Sequence, residues 1–149
     1  MISRRLASDL ARSFPGSAYI PRGKQSLDSL AKKCHSKGFS RLCIVQESHG
    51  NPSAFAFFGT AGEKLERLGE FNAKVIKTRS SFAKNREKFN ALSFSVSSDG
   101  AKTFMQETLA ENSAGAQLEM REYAGHLSFF CRGSEIGPVF SVARKAETT

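Results

Sequence analysis

The chain has 149 residues and a formal net charge of +8, from 22 Lys and Arg against 14 Asp and Glu. This length suits one domain and excludes a large multidomain enzyme. Hydrophobic residues make up 40% of the sequence and include 13 Phe, which is enough for a packed core and excludes a disordered chain. The most apolar run covers only residues 54–58, so we expect no membrane span, which would need roughly 20 apolar residues.

Positive charge is concentrated in two parts of the chain. Residues 1–45 carry a net charge of +7 and residues 74–88 a net charge of +5, whereas the remainder carries −4. Clustered cations favour binding to a polyanion, because they release condensed counterions when they bind. The alternative is a solvated surface that only keeps the protein soluble.

The cysteines and histidines do not form a metal-binding pattern. Cys34, Cys43 and Cys131 are widely spaced, there is no C-x-x-C pair, and the three His are scattered. We therefore expect no metal and no cofactor. Reduced cysteines in the core and an amino terminus without an apolar signal stretch favour a cytoplasmic protein.

Apolar spacing predicts two helices at the start of the chain. Leu6, Leu10 and Phe14 recur every fourth residue, which predicts a helix over residues 3–14 with a basic outer face, ended by the following Pro-Gly pair. A second helix is predicted from an i, i+3, i+4, i+7 pattern, with Ser26 as its cap and Gly38 as its end. Its apolar stripe consists of Leu27, Leu30, Ala31 and Cys34.

Strands and a short helix are predicted next. The apolar run at residues 42–45 is typical of a strand buried on both faces, and the turn residues 49–52 lead into a second strand at 54–58. Residues 60–63 match a capping box, which predicts a short helix with Leu65 and Leu68 facing inward. Residues 72–90 then predict a short strand at 74–77 and a long surface connection.

The last third of the chain predicts one helix among several strands. Leu92, Phe94 and Val96 alternate with serines, as in a half-buried strand. Ser98 or Asp99 caps the next helix, whose inward stripe is Ala101, Phe104, Met105, Thr108 and Leu109. Three strands are predicted at residues 118–123, 127–132 and 139–142, and the tail after Ala143 is expected to fray. The whole pattern is a mixed α/β (α+β) fold in one domain over residues 1–149.

No catalytic motif is present. Residues 18–26 contain a Gly-Lys pair, but Ala18 stands where a phosphate loop needs its first glycine, and Gln25 replaces the Ser or Thr that holds magnesium. The serine-hydrolase elbow, the HExxH zinc motif and the dinucleotide-binding glycine motif are also missing. We therefore expect a protein that is not an enzyme.

Two loops carry candidate binding residues. In the segment Tyr19-Ile-Pro-Arg-Gly-Lys, two cations flank Gly23, where the missing side chain lets backbone N–H groups approach a phosphate. The segment Ser48-His-Gly-Asn-Pro offers polar side chains at a loop tip. The alternative for each loop is a simple solvated turn, and the alternative for Tyr19 is a place in the core.

These loops resemble a known family. Ser3-Arg-Arg-Leu in the first helix, Tyr19-Ile-Pro-Arg-Gly-Lys followed by Ser-Leu, and Ile44-Val-Gln-Glu-Ser-His-Gly-Asn-Pro together resemble the Brix domain family of ribosome-biogenesis proteins. The chain is most similar to the short archaeal members, and the resemblance covers residues 3–58.

The resemblance implies a function and a more detailed fold. It implies a ribosome-biogenesis factor that binds precursor ribosomal RNA and assists its processing or assembly without catalysis. It also implies two similar α/β halves packed together, here about residues 1–80 and 81–149, each like the anticodon-binding domain of class IIa aminoacyl-tRNA synthetases. Other ribosome-assembly proteins are further expected partners. The alternative function is a protein-interaction module of the assembling ribosome that contacts an acidic protein.

Some candidate RNA contacts are implied by the family resemblance, and others are predicted from the residue patterns. The resemblance implies Arg22, Gly23 and Lys24, with Arg4 and Arg5 on the preceding helix. The residue patterns add basic, aromatic and loop residues, namely Arg12, Tyr19, His49, Asn51, Lys77 and Arg79.

Overall fold

The computed structural model describes residues 2–82 and 87–145. The described helices are α1 (Ile2–Ser13), α2 (Leu27–Ser36) and α3 (Asp99–Thr108), with one 3-10 turn at Arg79–Ser81. The strands are β1 (Arg41–Ser48), β2 (Asn51–Ala61), β3 (Lys64–Lys77), β4 (Leu92–Ser95), β5 (Leu118–Tyr123), β6 (His126–Cys131), β7 (Ser134–Glu135) and β8 (Val139–Arg144). None of the helices in these two ranges is long and apolar enough to cross a membrane.

All strands join one mixed sheet. Its order is β1-β2-β3-β8-β6-β5-β4, and the short β7 pairs with β6. β4 and β5 run parallel, whereas the other neighbouring strands are antiparallel. The prediction of a mixed α/β fold is confirmed.

Aromatic rings form the centre of the core. The ring of Phe104 on α3 lies 5.5–5.8 Å from the rings of Phe55 and Phe57 on β2, Phe71 on β3 and Phe140 on β8, measured between centroids. Most of these contacts are edge-to-face, the arrangement that the charge distribution of aromatic rings favours. One helix of the later sequence is thus packed onto strands of the earlier sequence.

The helices cover both faces of the sheet. Leu6 of α1 and Phe104 of α3 belong to the same core cluster as Phe55 and Phe57. Ala54 and Ala56 alternate with these two phenylalanines along β2 and therefore point to the opposite face. α2 contacts β2 and β3, and its buried residues Leu30, Ala31 and Cys34 lie outside that core cluster. α2 therefore covers the opposite face, and the chain between α1 and α2 passes from one face to the other.

Most predicted elements are confirmed, because their signals are local. Ser26 and Ser98 cap α2 and α3 by accepting hydrogen bonds from the N–H groups of Ser29 and Ala101. Gly38, which follows α2, has a φ of +74°. The hairpin between β1 and β2 turns at two residues of positive φ, which gives the strands the right twist.

Three predictions are wrong. Residues 60–68 form no helix: they are a tight hairpin between β2 and β3 that turns at Gly62, where φ is +61°. β1 is not buried on both faces, because it is an edge strand whose side chains are partly buried or, as at Cys43, exposed. The strand predicted at residues 74–77 is confirmed as the end of β3, but the stretch after it is not wholly a surface connection, because Arg79 and Phe89 are buried.

For two residues, the prediction that the side chain faces inward is also wrong. Leu27 and Leu109 are exposed, because each lies at the end of its helix, beyond the turns that pack on the sheet. The division into two halves, and the likeness of each half to an anticodon-binding domain, stay predictions.

A carboxylate from the sheet holds the start of α3. Oε1 of Glu122 accepts hydrogen bonds from the N–H and Oγ of Ser97 and from the N–H of Ser98 at 2.7–3.0 Å, and Oε2 accepts from Oγ of Ser98. Partial burial raises the pKa of Glu122, but these hydrogen bonds outweigh it and lower the pKa to about 2.

We expect this contact to make stability depend on pH. Because the folded pKa lies below the ordinary value of 4.5, the contribution is complete above about pH 4.5 and is lost as the pH falls toward 2. Glu122→Gln should therefore destabilise the protein by about 1 kcal/mol at pH 7, and the difference from the native chain should shrink with falling pH in urea unfolding. Glu66→Gln, at an exposed position of β3, is the control, and a pH-independent loss for Glu122→Gln would contradict the assignment.

Candidate nucleic-acid interface

A groove of about 960 Å³ runs along β1. Its walls are α1, the linker at residues 15–23, the inward side of α2, the later part of α3 with Leu109, and β1 itself. We call it the edge groove, because β1 is an outer strand of the sheet.

The charged residues around the edge groove are mostly cationic. Arg4 from α1, Arg22 from the linker and Arg41 from β1 line it, and Glu47 is the one acidic lining residue in the described parts of the chain. Three separate elements thus bring arginines to one opening. A concave surface lined by one sign of charge concentrates anions.

The bend at residues 21–25 is held by its own hydrogen bonds. The N–H of Gln25 donates to the carbonyl of Arg22 at 3.0 Å, and its side-chain amide donates to the carbonyl of Pro21 at 3.1 Å. Gly23 has a φ of +54°, and a Cβ there would meet no atom within 4 Å. The glycine is therefore needed for backbone conformation and not for space.

The cations of this bend are available at the surface. Arg22 and Lys24 are exposed, and neither forms an ion pair with a described carboxylate. Nε of Arg22 donates to the carbonyl of Gln25 at 3.4 Å, which directs the guanidinium without neutralising it. The nearby start of α2 is less suited to an anion, because the first turn of α2 contains Asp28.

Tyr19 lies on the groove and not in the core. Its side chain is 37% exposed, and it lines the edge groove beside the bend. The sequence leaves two roles for Tyr19, a surface contact with RNA or a place in the core. Its position fits a surface role and not a place in the core.

The other predicted contacts lie elsewhere. Arg5 and Arg12 are not among the residues lining the groove; Nη1 of Arg12 is 3.9 Å from Oδ1 of Asp9, on another side of α1. His49 and Asn51 are exposed at the β1–β2 hairpin, beyond the groove. The structure therefore brings Arg4, Tyr19, Arg22 and Gly23 together, and does not bring Arg5 or Arg12 to the same opening.

The described residues of the second basic stretch, at positions 74–82 and 87–88, do not line the edge groove either. Lys77 is exposed at the end of β3, with its ammonium 5.5 Å from the centre of the Phe82 ring. Lys84 and Arg86 lie outside the described residues. Lys77, the one of these three residues that the structure describes, does not line the groove.

Arg79 is not a surface residue, and its prediction as an RNA contact is wrong. It is only 2% exposed. Its guanidinium donates to Oγ of Ser13 at 2.7 Å, to the carbonyl of Glu87 at 3.1 Å and to the carbonyl of Gly137 at 3.5 Å. Its hydrogen bonds are therefore used to connect α1 with distant parts of the chain.

Asp9 completes this buried connection. Its Oδ2 accepts the backbone N–H of Arg79 at 2.9 Å. Burial raises the pKa of Asp9, whereas this hydrogen bond and the charges of Arg79, Arg12 and Arg5 oppose the rise. Burial also lowers the pKa of Arg79. Both shifts follow from the cost of placing charge where water is excluded.

No metal site accompanies the groove. Residues 2–82 and 87–145 contain no cluster of His, Cys, Asp or Glu placed to hold a metal ion.

Comparison with known proteins gives sequence relatives in archaea. Over 75 residues the chain is 34% identical to a probable Brix domain-containing ribosomal biogenesis protein of Pyrococcus furiosus, a match that covers 50% of this chain and 34% of that protein. A protein of the same description from Thermococcus kodakarensis is also 34% identical over 75 residues, covering 50% and 36%. The matched segment spans about a third of the length of these relatives. No protein-family model matches the chain.

Solved structures share the fold over nearly the whole chain. The crystal structure of a probable ribosomal biogenesis protein from Aeropyrum pernix has a TM-score of 0.71 at 22% identity, covering 98% of this chain and 92% of that one. The crystal structure of Mil, an archaeal Imp4-like protein, has a TM-score of 0.66 at 20% identity, covering 94% and 88%. The resemblance to Brix-domain proteins is confirmed. The fold shared with these two structures extends beyond the first 58 residues, where the sequence motifs end.

Arg41 is the groove residue that the sequence did not single out. It is one of many basic residues in the first 45, and no motif distinguishes it. Arg41 lies at the groove because the start of β1 is close to the linker. This proximity exists only in the folded chain. An arginine immediately before an apolar strand was the only available signal.

We expect Arg79→Met to lower the free energy of unfolding much more than Lys74→Met does. Arg79→Met leaves the buried acceptors on Ser13, Glu87 and Gly137 without this donor, and should lower the free energy of unfolding by about 3 kcal/mol. Lys74→Met removes an exposed cation from β3 and should change it by less than about 0.5 kcal/mol. Urea unfolding measures both, and equal losses would show that Arg79 is not a structural residue.

Proposed function

We propose that this protein is a ribosome-biogenesis factor that binds precursor ribosomal RNA without catalysis. The observation that carries the proposal is the convergence of Arg4, Arg22 and Arg41 on one groove, with Lys24 exposed beside it. The archaeal relatives, which are probable Brix domain-containing ribosomal biogenesis proteins, supply the ribosomal context. Assistance in RNA processing and a cytoplasmic location belong to the same proposal.

The RNA backbone binds at the rim of the edge groove, on the bend that contains Arg22 and Lys24. The bend at residues 22–24 offers a guanidinium fork and a point charge for phosphate oxygens, and Gly23 allows a close approach of the backbone. Tyr19 offers an exposed ring on which an unpaired base can stack. Most of the affinity comes from phosphate contacts, which set position and carry no sequence information.

The rest of the surface contributes less directly. His49 and Asn51 at the hairpin, Arg5 and Arg12 on α1, and Lys77 on β3 are proposed as secondary contacts for a longer RNA. We also retain the proposal that the halves at residues 1–80 and 81–149 are each built like a class IIa anticodon-binding domain.

The salt dependence of RNA binding tests the proposal. Arg22→Ala with Lys24→Ala should weaken binding of a single-stranded precursor rRNA fragment about tenfold in moderate salt. It should also lower the slope of log affinity against log salt by about 1.4, because each phosphate contact on a single strand contributes about 0.7. Fluorescence anisotropy across a salt series measures both quantities.

A charge-matched variant is the control. Lys64→Ala with Lys102→Ala removes the same charge from exposed positions that do not line the groove, and should change the slope much less. If both double variants reduce the slope equally, only net charge matters and the proposed site is wrong.

Tyr19 provides an independent test of base stacking. Tyr19→Ala should weaken binding of a single-stranded RNA by about tenfold, because stacking on an aromatic ring contributes about 1–3 kcal/mol per base. Tyr19→Phe keeps the ring and should bind normally. Anisotropy with the same RNA measures both, and a loss for Tyr19→Phe equal to that for Tyr19→Ala would exclude stacking as the role of this residue.

A further inference from the structure

β1 presents an open edge of the sheet. The N–H of Thr60 donates to the carbonyl of Ser40 at 3.2 Å, so these two residues form a hydrogen-bonded pair. In an antiparallel ladder every second residue pair is hydrogen-bonded, and this pair therefore shows which residues of β1 bond to β2. Residues 42, 44 and 46 therefore direct their backbone groups to β2, and Cys43 and Val45 direct theirs outward. Among the described strands none lies beyond β1.

The other edge of the sheet is closed by the chain itself. The side chain of Asn112 accepts the N–H of Phe94 at 2.9 Å and donates to the carbonyl of Phe94 at 3.0 Å. The N–H of Ser113 also donates to the carbonyl of Leu92 at 2.9 Å. Natural sheets protect their edges from unwanted pairing, and this one protects β4 but leaves β1 open.

Polar groups without partners lie in the groove next to the open edge. Ser3 is only 6% exposed and lines the groove, and its Oγ has no hydrogen-bond partner among the described residues. Nε of Arg41 is likewise buried and unpartnered there. A buried polar atom without a partner is costly, so these two atoms favour an occupant that brings polar groups into the groove.

We propose that the edge groove receives an extended acidic peptide from a partner protein, which adds to the sheet as a strand beside β1. The outward backbone groups of Cys43 and Val45 pair with the peptide backbone, as in other cases of strand addition. Acidic residues of the peptide face the arginines at positions 4, 22 and 41. This proposal goes beyond RNA binding and does not depend on it. Both ligands would use the arginines of the edge groove, so we expect the peptide and an RNA to compete for it.

Charge and chemistry favour this occupant over two others. A second copy of this chain would add its own three groove arginines to the same opening, which raises the local positive charge, whereas an acidic peptide lowers it. An RNA backbone offers phosphate acceptors and 2′-hydroxyl groups, but these do not alternate as donors and acceptors at the spacing of the outward groups of Cys43 and Val45. A peptide strand supplies donors and acceptors at the spacing of the edge.

The groove walls indicate the character of the peptide. Side chains of an added strand point alternately toward the α1 wall, which includes Leu10 and Phe14, and the α2 wall, which includes Leu30 and Cys34. The middle of the peptide is therefore apolar, and its acidic residues lie toward the ends. β1 has 8 residues, which sets the length of peptide that can pair.

The test uses synthetic peptides of that length with the native protein. A panel has Glu at both ends and varied apolar β-forming residues in the middle, and a matched panel has Lys at the ends. The best acidic peptides should bind at least about tenfold more tightly than their Lys-ended partners in fluorescence anisotropy. Amide hydrogen exchange by NMR should show slowed exchange at Cys43 and Val45, with little change at residues 42 and 44.

Backbone methylation distinguishes strand addition from simple charge attraction. Methylating the peptide nitrogens that face β1 should reduce affinity at least about tenfold, because donors are lost and methyl groups are forced against the edge. Methylating the alternate nitrogens should have little effect. On the protein side, Cys43→Pro removes an outward N–H without removing a bond to β2 and should abolish binding.

Several results would overturn the proposal. These are the failure of every acidic peptide to bind, binding without protection of Cys43 and Val45, and equal effects of the two methylation patterns. Protection of the same two amides by an RNA oligonucleotide, or by self-association of the protein alone, would assign the edge to a different occupant. Because the RNA proposal is tested by Arg22 and Lys24 in a salt series, the two proposals can fail separately.

Discussion

The packing of Phe104 is the constraint on which the rest of the molecule depends. This ring comes from a helix in the later sequence, yet it contacts rings of β2, β3 and β8. The contacts place β8 beside β3 and so join the earlier and later strands in one sheet. The outer positions of β1 and β4 follow from this arrangement. The edge groove therefore depends on a core residue far from it in sequence.

The sequence predicts helices and turns where short-range physics decides them. Ser26 and Ser98 cap the expected helices, and Gly38 has the expected left-handed conformation after α2. The predicted helix at residues 60–68 fails for a different reason. Its capping pattern is real, but pairing of β2 with β3 around Gly62 uses the backbone groups that a helix would need.

In the candidate site, too, the features set by local sequence can be predicted, and the features set by distant contacts cannot. The bend at residues 21–25 can be recognised from the sequence, because glycine and flanking cations are a local signal. The burial of Arg79 cannot, since its partners Ser13 and Gly137 lie 66 and 58 positions away along the chain. The role of Arg41 is equally invisible, because a cation before a strand has no special meaning until the fold places the linker opposite it.

The side chain of Asn112 has a consequence for how molecules of this protein can assemble. Head-to-tail growth of a fibre would require β1 of one molecule to pair with β4 of the next, and Asn112 already occupies the backbone groups of Phe94 on β4. Among the described strands, the sheet therefore offers β1 and not β4 as an edge for pairing with another chain. In a concentrated solution this arrangement disfavours fibres that would grow by joining β1 of one molecule to β4 of the next.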